Sequence, residues 1–478
     1  MAGSHHSPPF DLSRDRTLRG QGNAYARNCL IAGLVCIGLA AILAFATGGS
    51  RIDQNFDPKT APPALVGVVD LLAEKEGKPA ADYAGKPVAE IAEQAKTQFG
   101  HDLPAHWDSF LHQRTATGGW QRFQASYLVA FLFCVSLSVG GLFFVLVQHL
   151  ARAGWSVVVR RIAELLAASV GLVSLLALPI VVPLFFGAHG LYEWNDAELI
   201  KTDALIRHKH AWLNPTFFAI RTVIYFGVWA AYGAYMLARS RQQDESGDPE
   251  LTNRMQAVAP FGTLLFALTA NFFAFDFMMS VAPHWFSAIY GIYYFAGSVV
   301  SCFAAMILIC AWLQKKNVIG PEMTTDHYHD LGKLLFGFNF FWAYIAFSQY
   351  LLIWYANIPE ETGWLIERQS NGWAWVSIAL LFGHLFLPFF GIMSRRSRRS
   401  MPSLIFWSCW LLAMHWLDLY WNVIPQYSTR PWPGLLDLLL FAGLASLFLA
   451  SFFRTASHKS LVAVRDPRLS ESLAFHNA

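Results

Sequence analysis

Long apolar runs, separated by short polar stretches, dominate this chain. Ten of them approach or exceed the roughly 20 residues that a bilayer-spanning helix needs: 28–47, 124–149, 161–187, 215–238, 257–282, 285–313, 333–356, 372–394, 402–424 and 434–453. The pattern predicts an all-α integral membrane protein with ten transmembrane helices. The first run ends in "AFA" (44–46), which resembles a signal-peptide cleavage site. Its long polar lead and its full spanning length predict a retained span instead.

The polar stretches carry the orientation. Arg14, Arg16, Arg19 and Arg27 precede the first run, and Arg152, Arg160 and Arg161 lie around the second connection. Arg239, Arg241 and Arg254 surround the fourth, Lys315 and Lys316 open the sixth, and "SRRSRRS" (394–400) forms the eighth. Arg454, Lys459 and Arg465 follow the last run. By the positive-inside rule these segments, including the tails 1–27 and 454–478, are cytoplasmic. The short loops "VAPHWFS", "NIPEETGWLIE" and "PQYSTRPWPG" then lie outside, as does 48–122, where proline-led patterns predict two or three short helices.

Composition narrows the function classes. The 478 residues are 55% hydrophobic and 14% charged, against about 25% charged in soluble domains. The net charge of +3 and the lack of a basic patch interleaved with aromatics argue against nucleic acid. The six cysteines, Cys29, Cys36, Cys134, Cys302, Cys310 and Cys409, form no C-x-x-C pair, so neither covalent haem nor a cysteine-ligated cluster is expected.

An internal repeat is visible. "FDFMMSVAP" (275–283) aligns with "LDLYWNVIP" (417–425), which matches Asp276 with Asp418, Ser280 with Asn422 and Pro283 with Pro425. "FG" at 226–227 matches 382–383, and "LL" at 165–166 matches 334–335. The implied architecture is a parallel repeat of two four-helix bundles, 123–282 and 283–424, with 28–47 and 434–453 peripheral.

Ionisable groups at membrane depth are costly and face the bundle interior. Asp276 and Asp418 each lie roughly 10 Å below the proline that follows them. His415 and Asn422 flank Asp418 at helical spacing, while Ser348 and Tyr355 share a face with Tyr344. Glu164 and Lys333 sit near cytoplasmic helix ends. Each Asp reads either as a proton carrier or quinol partner, or as a structural tie between helices, with Arg221 a candidate partner for Asp276. The candidates for a proton path are Asp276, Asp418, His415, Ser348, Tyr355, Glu164 and Lys333. An outer quinone pocket would draw on His284, Trp285, Asp276 and Asp418. His384 and His415 could face one another, but the Leu, Phe and Trp around them do not suit a haem. No metal site is expected.

Several stretches together carry a resemblance. "WSVVVRRIAE", "RTVIYF" after "LNPTFF", "DFMMSVAPHWFSAIYGIYYFAGS" and "DLGKLLFGFNFFWAYIAFSQYLLIWYANIPEETGW" closely resemble the ActF-type membrane subunits of bacterial alternative complex III, within the NrfD/PsrC-like family. The resemblance covers roughly 120–430. It implies a multi-pass subunit of the bacterial inner membrane, without a redox centre and non-catalytic alone. Its implied partners are an ActC-like membrane subunit, iron–sulfur and haem c subunits, and a terminal oxidase or cytochrome c. The implied complex oxidises quinol, so quinone or menaquinone and lipids are the expected ligands, and a proton-translocating role follows. A quinone-binding subunit, a scaffold and a secondary transporter are the alternatives. The transporter reading expects broken helices at the site, whereas most prolines here mark helix ends, Pro179 and Pro183 excepted.

Overall fold

A bilayer interior offers no water to the backbone, so each apolar run must satisfy its own N–H and C=O groups, which a helix does. The computed structural model describes residues 15–47, 56, 58, 63–99, 119–370, 372–428, 430–457 and 459–477, and among these the regular structure is helical. The main helices are α1 (Gln21–Thr47), α2 (Pro63–Glu76), α3 (Val88–Phe99), α4 (Gly119–Leu150), α5 (Val157–Phe186), α6 (Pro215–Ser246), α7 (Glu250–Phe277), α8 (Tyr290–Lys315), α9 (Thr325–Ala356), α10 (Pro359–Glu367), α11 (Trp373–Met393), α12 (Met401–Val423) and α13 (Leu435–Ala456).

Among the described residues, nine helices are long and apolar enough to cross a membrane: α1, α4, α5, α6, α7, α8, α9, α11 and α13. This is the pattern of a multi-pass membrane protein. The expected span 402–424 is the 23-residue helix α12, which is not among the nine. Four tryptophans, His415, Asp418 and Asn422 dilute its apolar character. Other boundaries also move. α6 and α9 each run 32 residues, roughly 48 Å at 1.5 Å per residue, so their polar ends continue past a hydrocarbon core of about 30 Å. α8 starts at Tyr290 rather than 285, because Trp285–Ser287 is irregular and a turn at Ala288–Ile289 leads into the helix.

α4 and α8 pack side by side at the centre, and α4 is buried along almost its whole apolar length. Small residues permit the close approach. A Cβ on Gly140 would come within 2.5 Å of the Ser298 carbonyl and of Cys302, and Ser136 lies 3.2 Å from Ser301. α5, α6 and α7 complete a closed set of neighbours with α4, and α9, α11 and α12 do so with α8. α1 and α13 form a peripheral pair that lies against α4, with Gly33 and Gly443 facing each other's backbone.

Two helices are irregular. α5 breaks into short helical segments around Pro179 and Pro183, where amide donors are missing. α11 carries a π-helical stretch over Leu381–Phe386 that contains His384. Between α1 and α4, α2 and α3 share a small core of their own through Val68, Leu72, Tyr83 and Ile91.

The segment after α13 straps the basic end of the molecule. Leu461 and Val462 are buried, and the Leu461 amide donates to the Arg16 carbonyl at 3.0 Å. Asp466 pairs with Arg160, Ser472 lies 3.1 Å from His327 Nε2, and Asn477 accepts from Lys333 at 2.6 Å.

The central contact makes a prediction. Gly140→Val should destabilise the protein by about 1–3 kcal/mol through overpacking. Gly227→Ala, at a helix position with no neighbour within 4 Å, should be neutral or stabilising by up to about 1 kcal/mol. Thermal unfolding in detergent checks this, and equal melting temperatures would contradict the packing described.

Candidate functional site

The two aspartates matched by the repeat lie in different company. Asp276 sits on α7, 1% exposed. Arg221 of α6 grips it through two bonds, Nε to Oδ2 at 2.7 Å and Nη2 to Oδ1 at 2.9 Å. The Trp212 indole donates at 3.0 Å and the Tyr225 hydroxyl at 2.6 Å. Arg221 is itself held between the Trp212 and Phe217 rings at 4.2 and 4.3 Å, and it donates to the Trp212 carbonyl at 2.9 Å. Four hydrogen bonds, two of them from the bidentate Arg221, satisfy the carboxylate, so this is a closed ionic tie between α6, α7 and the loop before α6.

Asp418, on α12, has no cation among its described partners. Tyr293 of α8 donates to Oδ1. Asn422 donates to the same oxygen at 3.3 Å, and the Trp342 indole of α9 donates to Oδ2 at 3.3 Å. All three donors are neutral. Tyr290 in turn donates to Asn422 Oδ1 at 3.0 Å. This is the setting of a group that can exchange a proton without dissolving an ion pair.

Two histidines adjoin it. His415, one helical turn before Asp418, places Nε2 3.0 Å from Ser136 Oγ, which leads to Ser301 between α4 and α8. Gly297 makes room for its ring, since a Cβ there would fall 2.8 Å from it. His384 is fully buried in the π-helical stretch, with its ring 3.7 Å from that of Trp342. Neither of its nitrogens finds a partner among the described residues. Trp342 therefore touches Asp418 through its N–H and His384 through its face.

Above Asp418 lies a cavity of about 110 Å³, lined in part by Tyr293, Gln349, Trp364, Arg368, Ser377 and Trp421. At about 30 Å³ per molecule this is room for three or four waters, well below the roughly 300–1,000 Å³ of ligand pockets. Tyr293 belongs both to its wall and to the Asp418 cluster. Arg368, just after α10, is fully buried with its guanidinium 3.4 Å from the Trp364 ring centre. It donates to the carbonyls of Trp364 at 2.9 Å and Asn422 at 2.7 Å, while its Nε has no hydrogen-bond partner among the described residues. Burial pulls its pKa down to about 10, so it stays charged at neutral pH.

The remaining candidates fall elsewhere. Ser348 is half-buried and Tyr355 83% exposed. The inward stripe of α9 is Asn339, Trp342, Gln349 and Ile353; the expected Tyr344–Ser348–Tyr355 face is displaced outward. Glu164 is fully buried between Arg160 at 3.4 Å and Arg161 at 3.0 Å, the second contact lacking hydrogen-bond alignment. Arg160 also pairs with Asp466 and Arg161 with Asp244, so Glu164 belongs to an ionic lattice that the C-terminal strap completes. Lys333 is half-exposed and pairs with Asp330 at 2.9 Å. His284, in the loop between α7 and α8, lies 2.6 Å from Asp203, in the loop between α5 and α6, away from Asp418's partners. Trp285 stacks on Trp364 at 4.2 Å, and so adjoins the cavity wall. The set His284, Trp285, Asp276 and Asp418 is thus divided between two closed pairs and the cavity.

Sequence reasoning missed Tyr293, Trp342 and Arg368. For Arg368 the only signal was an arginine in the short connection between two apolar runs. No family model matches this chain, and no curated protein matches its sequence.

Two predictions follow from these contacts. Asp276→Asn should cost about 3–5 kcal/mol by leaving Arg221 buried and uncompensated, whereas Asp418→Asn should cost no more than about 1.5 kcal/mol. Thermal unfolding of both variants decides, and similar losses would contradict the contrast. The second concerns pH. Burial alone would raise the Asp203 carboxyl, but the hydrogen bond from His284 and the amides of Ile206 and Leu205 outweigh it and hold it below its usual value. Its stabilisation is then present above the unfolded value of about 3.9 and lost as pH falls through the lower folded value. Wild type should lose stability below about pH 4, and Asp203→Asn should show a shallower acid slope in melting temperature against pH.

Proposed function

We propose that the protein is an integral membrane subunit of a respiratory quinol-oxidising complex, without a redox centre of its own, in which Asp418 exchanges protons. The observation that carries this reading is a buried carboxylate held by neutral donors and joined through Tyr293 to a water-sized cavity. The motifs that resemble ActF-type subunits of alternative complex III supply the context of quinol oxidation. The closed contacts of α4 with α5, α6 and α7, and of α8 with α9, α11 and α12, support two repeat-related four-helix bundles. The basic loops support cytoplasmic termini in a bacterial inner membrane. Partner iron–sulfur and haem c subunits and an ActC-like subunit would carry the electrons.

The chemistry follows from the groups present. Tyr293 can donate to the Asp418 carboxylate and accept from a water in the cavity, so a proton can pass between cavity and carboxyl by hydroxyl exchange. Arg368 beside the cavity opposes the entry of a second cation from outside. On the other side, His415 and its contact with Ser136 continue the polar groups toward the α4–α8 seam. Asp276 holds the first bundle together and takes no part in transfer.

A quinone-binding reading draws on the Arg368 Nε, which has no hydrogen-bond partner among the described residues, beside the same cavity. The cavity is too small for that role as it stands. The two readings separate in the assembled complex. Asp418→Asn should lower the proton-to-electron ratio while quinol oxidation continues, with KM for quinol unchanged. An unchanged ratio would sink the proton reading, and a KM raised tenfold or more would favour the quinone site.

A further inference from the structure

At the basic end, the start of α1 and the ends of α8 and α13 meet through three rings. Tyr25 stands edge-on to Trp312 at 5.7 Å and lies 5.4 Å from Phe453, which is 5.6 Å from Trp312. Beside these rings opens a cavity of about 380 Å³, lined in part by Thr17, Arg19, Gln21, Tyr25, Trp312 and Lys316. Its size is that of a small-molecule site.

The wall is positive on balance. Asp15 also lines it, but is engaged by Arg19 at 3.1 Å and by the Thr17 amide at 2.9 Å. Lys316 is exposed, and among the described residues its ammonium pairs with no carboxylate. Among the described residues one cation of this wall therefore lacks a carboxylate partner. Tryptophan and tyrosine rings favour the headgroup level of a bilayer, and basic pockets between membrane helices on the cytoplasmic side suit phospholipid headgroups. Further along α1, Leu30, Ile31, Leu34 and Val35 are about half exposed, an apolar surface suited to acyl chains.

We propose that this cavity binds the phosphate headgroup of an anionic phospholipid of the adjoining leaflet. Lys316 and Arg19 hold the phosphate oxygens, Tyr25 and Trp312 lie at the level of the glycerol, and the chains run along α1. The site is separate from Asp418 and does not depend on the proton reading.

The test uses the full chain purified in mild detergent, stripped of lipid and titrated with phosphatidylglycerol, phosphatidylcholine or inorganic phosphate, with bound species counted by native mass spectrometry. Phosphatidylglycerol should be retained preferentially. Lys316→Gln and Arg19→Gln should each weaken its retention about fivefold, as expected for one basic residue at a membrane surface. Lys315→Gln, outside the cavity wall, should leave it unchanged. Equal retention of the two lipids, or wild-type retention in both cavity variants, would overturn the proposal. Displacement of phosphatidylglycerol by millimolar inorganic phosphate would assign the site to free phosphate and overturn the lipid assignment. Size-exclusion profiles of the variants separate loss of binding from loss of fold.

Discussion

An ionised side chain at membrane depth must be matched by an opposite charge or be held by neutral donors that tolerate its protonation. Much of the half of the helix bundle that holds Asp276 and Asp418 is arranged around that constraint. Arg221 reaches Asp276 because the loop before α6 supplies Trp212 as donor, carbonyl acceptor and ring platform at once. The result joins three segments, and Trp229 of α6 adds a second polar contact by donating to Thr269 of α7 at 2.9 Å. In the second set of helices the arginine is displaced into the loop after α10, where Arg368 binds the Asn422 carbonyl rather than the carboxylate. Asp418 is thereby left to tyrosine, asparagine and indole. One difference in the placing of a cation separates a tie from a candidate proton site.

The same economy of charge governs the basic end. Glu164, Arg160, Arg161, Asp244 and Asp466 form a lattice in which each buried charge has an opposite neighbour, and one member comes from the C-terminal strap. The strap is therefore part of the electrostatic balance of the helix ends, not an appendage. Between the two ends, the α4–α8 seam depends on close approach, with Gly140, Ser136, Ser298 and Ser301 allowing backbones to meet where larger residues would hold them apart.

Helix positions, the burial of both aspartates and the association of His415 and Asn422 with Asp418 could be read along the chain, because helical spacing and hydropathy are local. The face of α9 could not. Tyr344, Ser348 and Tyr355 form as regular a stripe as Asn339, Trp342 and Gln349, and periodicity cannot say which is turned inward. Burial of Trp342 against His384 and Asp418 decides it. Glu164 read as a group near a helix end, and its two arginine neighbours were visible at i−4 and i−3. The onward pairing of Arg160 with Asp466 was not, because those residues are 306 apart in the chain.

The sequence by itself determined that the chain is a bundle of membrane helices with basic ends on one side, since apolar length and charge asymmetry are properties of consecutive residues. It also showed a carboxylate in each of two apolar runs, at matching distances before a proline. Only the tertiary structure decided what those carboxylates are, because the nature of a buried acid depends on which donors and cations distant segments bring within hydrogen-bond reach. Arg221 closes one of them, and the absence of such a cation among the described partners of Asp418 leaves the other available for chemistry.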